Sequence, residues 1–243
     1  MLIISKRFDS AQWYANEAEV GQAILEFLTS SRNTTGIRRE DIFFTTKLRT
    51  NSDYETARRS IAHSVSQCGL GYVDLFLLHS PYGGKNLRSE SWRAIEDAIN
   101  GGEVRTGGVS NFSIKHLQEL MTSTIRPAVN QVEIYPFNTR TEIASYCHQE
   151  GIVVEAYSPL AKAERKDHPL VVSLSKKYDC TWAQLMIRWS LQHGYVPLPK
   201  SGTRERIQSN GDVGYFDIND SDMQMLDDLD EHLCTDWDPF GTE

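Results

Sequence analysis

Two hydrophobic periods alternate along this chain. Short runs dense in apolar residues read as strands: KRFDSA near the start, IFFTTKL (42–48), YVDLFLLHS (72–80), the weaker RTGGVSN (105–111), AVNQVEI (128–134), IVVEAYSPL (152–160) and YVPLPKS (195–201). Most are nearly continuous in apolar residues, as expected for a parallel sheet covered on both faces. Between them the period lengthens to that of a helix. In NEAEVGQAILEFLTSS, Val20, Ala23, Ile24, Phe27 and Leu28 follow the i, i+3, i+4, i+7, i+8 pattern that predicts one buried stripe. NSDYETARRSIAHSVSQCGLG opens on polar cap residues and stops at Gly69, with Ile61, Val65 and Cys68 on one face. TWAQLMIRWSLQHG carries Thr181 and Gln184 at capping-box spacing and ends at Gly194.

Strand–helix alternation over the whole length leaves two architectures, a TIM-type (β/α)8 barrel or a doubly wound sheet. No GxGxxG follows the first strand, which disfavours the dinucleotide-binding sheet. The expected fold is therefore an α/β barrel of the TIM type. The pattern supplies about seven strands, where a closed barrel of this class uses eight. No Gly/Ser linker or shift in composition marks a boundary, so residues 1–243 are expected to form a single barrel domain.

Composition narrows the function. With 40% hydrophobic and 24% charged residues, this is an ordinary globular chain. A net charge of -8 and the lack of any run of five Lys or Arg argue against a nucleic-acid partner and against an anionic membrane. A small anionic cofactor can still bind in a locally basic pocket. No apolar run has the length of a membrane span, and MLIISKRF is too short for a signal peptide, so a cytoplasmic protein is expected. Cys68, Cys147, Cys180 and Cys234 lack CxxC spacing and read as reduced thiols rather than a disulfide frame or a zinc site; no metal is expected.

In a barrel of this type, polar residues at the C-terminal ends of strands face the active site. Asp9 closes the first run and Tyr14 follows it in the loop, while Lys47 closes IFFTTK and His79 closes VDLFLLH. Singly, each has an ordinary role: a turn cap, a rim aromatic, a solvated strand end, a hydrogen-bonded core histidine. Together they make an acid–base set. A free phenol titrates at about 10 and is a poor proton donor at neutral pH. A nearby ammonium favours the phenolate, and a carboxylate beside that ammonium keeps it charged and oriented. A histidine opposite can hydrogen-bond a carbonyl oxygen. Such a set suits protonation of a developing alkoxide while hydride arrives from a cofactor. Near the other end, a Lys-Ser-Gly-Thr turn after a late strand leads into a short helix, offering backbone N–H groups and a cation to phosphate.

The sequence at this point closely resembles the aldo-keto reductases. The resemblance rests on FDSAQWYANEAEVG, TTKL, LLHSP, GVSNFS, NQVEIYP, EAYSPL and VPLPKSGTRERIQSN, which follow the family's order over residues 6–240. It implies a (β/α)8 barrel that binds NADPH without a Rossmann domain and reduces an aldehyde or ketone to the alcohol. It implies Tyr14 as general acid, assisted by Lys47 and Asp9, with His79 orienting the carbonyl. Ser110, Asn111 and Gln131 match the residues that hold the nicotinamide carboxamide, and Tyr157 matches the aromatic on which the nicotinamide stacks. Ser158 and Leu160 match pyrophosphate contacts. Lys200, Ser201, Thr203 and Arg206 would bracket the 2′-phosphate of NADPH, and Asn210 matches an adenine contact.

The chain also departs from the family pattern. Ser209 stands where a Glu usually contacts adenine, and Ala15 where a Gly commonly follows the tyrosine. The family places a floor hairpin, a first barrel strand and a first helix before this aspartate, so the resemblance implies an N-terminally truncated barrel in which MLIISKR is the tail of that helix. Family members are mostly monomeric, whereas an open barrel edge favours self-association; either state is expected. Two other readings stand beside the reductase: a non-redox isomerase, cyclase or dehydratase using Tyr14 and Lys47, and an NADPH-binding or inactive protein without catalysis. The substrate is expected to be a small-molecule carbonyl compound, and a bulky one. It would be selected by the loops 80–91, 159–169 and 232–243, with Trp13 and Trp237 as candidate walls of an apolar pocket.

Overall fold

The computed structural model describes residues 6–242. They fall into two compact units, one of residues 6–130 with 239–242, the other of residues 131–238. All seven runs read as strands form strands.

In the first unit β1 (Arg7–Asp9), β2 (Phe43–Leu48), β3 (Val73–Leu78) and β4 (Val104–Ser110) lie parallel in chain order, followed by the start of β5 (Val129–Glu133). Asp9 stands opposite Thr45, and Lys47 opposite Leu77, so the polar C-terminal ends of β1 and β2 sit at the same end of the sheet. Four helices connect these strands: α1 (Glu17–Thr29), α2 (Tyr54–Cys68), α3 (Gly84–Asn100) and α4 (Ile114–Leu120). Every residue of β3 is buried. Leu75 and Leu77 pack with Val129, and Phe43 and Ala128 lie against them. Removing one such buried leucine side chain typically costs about 2–5 kcal/mol.

The weakest strand signal, RTGGVSN, has a packing explanation. A Cβ on Gly108 would lie 2.7 Å from Leu77 Cδ2 and 2.8 Å from the Val129 carbonyl; one on Gly107 would lie 2.7 Å from Ile95 Cγ2. Neighbouring strand and helix approach β4 so closely that its residues here are glycines, and the apolar pattern thins where packing is tightest.

Helix α1 differs from its predicted stripe. Its buried residues are Glu17, Gly21 and Ile24, while Ala23 is exposed and Val20, Phe27 and Leu28 are only half-buried. The contact line runs through Gly21, where a Cβ would fall 2.6 Å from the backbone carbonyl carbon of Cys68 at the end of α2. Close backbone approach, rather than the most apolar row, sets the orientation. Helix α2 keeps Ile61 and Cys68 on its buried face together with Ala57 and Ser64. It starts on Asp53, which accepts the Thr56 N–H at 3.0 Å, and stops at Gly69 with φ 65°.

Of MLIISKR, residues 1–5 lie outside the described residues. Lys6 and Arg7 are not the tail of a helix: Arg7 opens β1 opposite Phe43, and the Lys6 carbonyl accepts the Phe43 N–H at 2.7 Å.

The second unit holds the rest of β5, then α5 (Thr141–Gln149), β6 (Val153–Tyr157), α6 (Pro169–Lys177), α7 (Trp182–Gln192), β7 (Val196–Leu198), α8 (Arg204–Gly211) and α9 (Asp220–Asp227). Strands β6 and β7 pair in parallel, with Tyr157 opposite Leu198. The capping box at α7 forms as its sequence predicts: Thr181 Oγ1 accepts the Gln184 N–H at 3.2 Å, and Gln184 Oε1 accepts the Thr181 N–H at 3.0 Å. Among the described residues no helix is long and apolar enough to cross a membrane.

Candidate active site

The four residues expected to work together meet in the first unit. Asp9 is the last residue of β1, and the chain then turns through a single 3-10 turn (Gln12–Tyr14) that ends on Ala15 in the left-handed region, φ 50°. Lys47, near the end of β2, is fully buried. Its ammonium donates to the Asp9 carboxylate and to the Ser10 carbonyl at 2.9 Å. The same ammonium lies 5.2 Å from the centre of the Tyr14 ring, whereas Tyr14 itself is 51% exposed. His79 follows β3, and its ring meets Tyr14 edge to face with centroids 5.9 Å apart. Burial, with the Lys47 charge as the smaller cause, pulls the His79 imidazole down from 6.5 to about 4, so it is neutral at physiological pH. A buried cation, a half-exposed phenol and a neutral imidazole thus lie close together.

Several side chains that the sequence did not single out hold this geometry. Gln12 anchors the loop that carries Tyr14. Its Oε1 accepts the Arg49 N–H at 2.7 Å, and its Nε2 donates to Ser60 Oγ at 2.9 Å and Ser64 Oγ at 2.8 Å on α2. Ser10 Oγ donates to Asn16 Oδ1 at 2.6 Å across the same loop. Asn51 donates to the carbonyls of Ser80 and Tyr82 at 2.8 and 2.7 Å, fixing the loop after His79. Arg88, almost fully buried, reaches the Pro81 carbonyl at 2.7 Å and grips Glu119 at 2.8 and 2.9 Å. The only sequence signal for Gln12 was a polar residue enclosed between a small residue and an aromatic one within the motif.

The expected nicotinamide contacts of the first unit follow β4. Ser110 and Asn111 are buried, and Asn111 adopts φ 61°. Asn111 Nδ2 lies 3.3 Å from the His79 carbonyl and 3.2 Å from Ser110 Oγ. Asn130, missed by sequence reasoning, brackets the next residue: its Nδ2 donates to the Phe112 carbonyl at 3.0 Å and its Oδ1 accepts the Phe112 N–H at 3.4 Å. The signal was present as an amide interrupting an apolar run.

In the second unit Gln131 is buried and donates to Glu155 Oε2 at 2.8 Å, which fixes its amide. Tyr157 ends β6 half-buried; burial and the Glu133 carboxylate push its phenol well above the usual value, so it serves as a neutral ring. Ser158 follows at φ 48°, and its carbonyl accepts the Ala161 N–H at 2.9 Å, while Leu160 leads into a short turn. After β7 come exposed Lys200, half-buried Ser201, and Thr203 at the start of α8. The Thr203 side chain makes no capping bond, so the first N–H groups of α8 keep their donors uncapped by it, with Arg204 and Arg206 exposed beside them. Ser201 Oγ accepts the Thr203 N–H at 3.2 Å. Asn210 is half-buried near the end of α8, where Gln184 donates to the Ser209 and Asp212 carbonyls at 3.2 and 2.8 Å. Ser209 therefore presents its backbone to a structural bond. An uncapped helix start flanked by cations fits a phosphate group by charge and by donor direction.

Comparison with known proteins gives the family of the chain. The family model described as aldo/keto reductase family matches residues 5–231. An uncharacterized oxidoreductase of Schizosaccharomyces pombe is 47% identical over 236 residues, covering 96% of this chain and 83% of that protein. Among solved structures, an aldo-keto reductase from a Medee basin deep-sea metagenome library is 34% identical with a TM-score of 0.90, over 98% of this chain and 86% of that one. A Bombyx mori aldo-keto reductase in complex with NADP is 30% identical with a TM-score of 0.87, over 95% of this chain and 80% of that one. These likenesses establish the α/β fold of the TIM-barrel type that the sequence pattern predicts. The chain belongs to the aldo/keto reductase family of oxidoreductases.

Proposed function

We propose that this protein is an NADPH-dependent reductase that converts an aldehyde or ketone to the alcohol, with Tyr14 as general acid. The observation that carries the reading is the fully buried Lys47 ammonium, held by Asp9 beneath the Tyr14 ring and beside a neutral His79. Bound NADPH supplies hydride to the carbonyl carbon. As negative charge develops on the carbonyl oxygen, Tyr14 donates its phenolic proton to that oxygen. The Lys47 cation stabilises the phenolate left behind, and Asp9 holds that cation in place by its hydrogen bond. The neutral His79 offers one N–H to the same oxygen and sets its angle. Tyr14 is exposed enough to recover a proton from solvent.

For the cofactor, Ser110 and Asn111 would hold the carboxamide; the family resemblance gives Gln131 a matching carboxamide role and Tyr157 that of the stacking ring. Ser158 and Leu160 would lie at the pyrophosphate. Lys200, Ser201, Thr203 and Arg206 would take the 2′-phosphate, which favours NADPH over NADH, and Asn210 would touch adenine. The uncapped start of α8 supports this assignment. Free thiols at Cys68, Cys147, Cys180 and Cys234 suit a reducing cytoplasm.

The test follows NADPH absorbance with a panel of aldehydes and ketones, in wild type and Tyr14→Phe. Turnover that the variant loses by a factor on the order of 10² or more supports the assignment. NADPH binding with no oxidation by any substrate points to a non-catalytic protein, and substrate conversion without NADPH consumption to a non-redox enzyme. Full turnover in Tyr14→Phe removes the general acid from the scheme.

A further inference from the structure

Arg49 lies two residues beyond Lys47, just past the end of β2, with its side chain exposed. Its guanidinium carbon is 5.6 Å from the centre of the Trp13 ring, and among the described residues it makes no ion pair. In a chain of net charge -8, an anionic ligand needs a local cation. Lys47, the other nearby cation, is already committed to Asp9. Arg49 is therefore the cation left for a ligand at this edge of the site.

Both members of the pair are held from the backbone. The Trp13 indole N–H donates to the Arg49 carbonyl at 2.5 Å, and the Arg49 N–H donates to Gln12 Oε1 at 2.7 Å. Trp13 is 61% exposed, and its ring edge meets His79 at 6.3 Å between centroids. Touching groups thus run from Tyr14 through His79 and Trp13 to Arg49, which is proton donor, carbonyl guide, flat apolar surface and cation in that order.

We propose that Trp13 and Arg49 form a subsite for the carboxylate of an aromatic aldehyde or ketone: the ring lies along the indole, the carboxylate meets the guanidinium, and the carbonyl reaches Tyr14 and His79. This rests on the reductase reading above. The guanidinium is charged at every relevant pH and offers paired donors matched to a carboxylate. The indole contributes apolar area with little loss of freedom because its N–H is already bonded.

The experiment compares kcat/KM, with NADPH, for 4-carboxybenzaldehyde and its uncharged methyl ester in wild type, Arg49→Met and Arg49→Lys. Wild type is expected to prefer the carboxylate by about tenfold, equivalent to about 1.4 kcal/mol. In Arg49→Met that ratio falls to about one, chiefly through KM, while Arg49→Lys restores part of it and added salt lowers it in wild type. A wild-type ratio near one, or a ratio that survives in Arg49→Met, overturns the subsite and leaves the reductase reading standing. Turnover of neither compound, nor of any other carbonyl, overturns the reductase reading and the subsite with it.

Discussion

The Lys47 ammonium, with no exposed surface, donates to the carboxylate of Asp9, which reaches solvent with a fifth of its side chain. This asymmetry predicts unequal consequences for the two partners. Asp9→Asn strands a buried cation among neutral acceptors and is expected to cost about 3 kcal/mol of stability. Lys47→Met replaces the cation by an apolar chain of similar length and leaves a carboxylate that water can reach, so about 1 kcal/mol is expected. Both variants lose turnover. Urea denaturation of the two proteins gives the order, and a Lys47→Met protein less stable than Asp9→Asn contradicts it.

His79 makes stability depend on pH. Its folded value of about 4 lies below the ordinary 6.5, so between these values the unfolded chain binds more protons than the folded one. Stability therefore rises with pH through that window, is fully present above pH 6.5, and is lost as pH falls toward 4. The contribution is at most about 3 kcal/mol. Urea midpoints measured across this range should climb more steeply in wild type than in His79→Gln; parallel curves would show that another group sets the slope.

Gln12 touches no expected substrate atom, yet it ties the Tyr14 loop to α2 and to the residue following β2. Gln12→Ala is expected to lower kcat by about tenfold through misplacement of Tyr14, with a smaller change in KM. Loss of its bonds should reduce stability by about 2 kcal/mol, lowering Tm by roughly 5 °C. Gln12→Glu keeps the Arg49 and Ser60 hydrogen bonds accepted by the side-chain oxygen and should recover part of kcat. A purely structural role would lower Tm in Gln12→Ala and leave kcat unchanged.

Gly21 predicts a severe effect from a single methyl group. A Cβ there meets the backbone of Cys68, which cannot swing aside as a side-chain end would. Gly21→Ala must separate α1 from α2, and a loss of about 3 kcal/mol or more is expected in chemical denaturation. Gly36→Ala, where no atom lies within 4 Å but φ is 66°, serves as the comparison and should lose only about 1 kcal/mol.

Arg206 tests the cofactor assignment. Arg206→Ala is expected to raise KM for NADPH by about tenfold while that for NADH changes little, because only the former carries the 2′-phosphate. Equal changes for both cofactors would place Arg206 elsewhere.

What the sequence disclosed depended on the reach of each interaction. The strands were most legible where, as in β3, every residue is buried and nearly all are apolar, a property that a one-dimensional pattern preserves. Helix caps such as Asp53 and Thr181 were legible because their partners lie three residues away. The orientation of α1 was not, because the Gly21–Cys68 approach joins residues distant in the chain and leaves no apolar signature. The meeting of Asp9, Tyr14, Lys47 and His79 could be anticipated from strand ends. Their supports could not, since Gln12 to Ser64 and Asn51 to Tyr82 are bonds of ordinary polar residues whose partners only the fold supplies. Ala15 shows the converse: the sequence marked it as a departure from glycine, and its left-handed φ of 50° explains why glycine is the easier residue there.

Trp13 has one more consequence, optical rather than chemical. Trp92 and Trp189 are shut away at 1% exposure, whereas Trp13 stands open at 61% within ring contact of His79. Iodide or another collisional quencher will reach Trp13 first, and a molecule settling beside His79 will shield it. The protein thus carries its own fluorescent gauge of whatever lies next to its phenol.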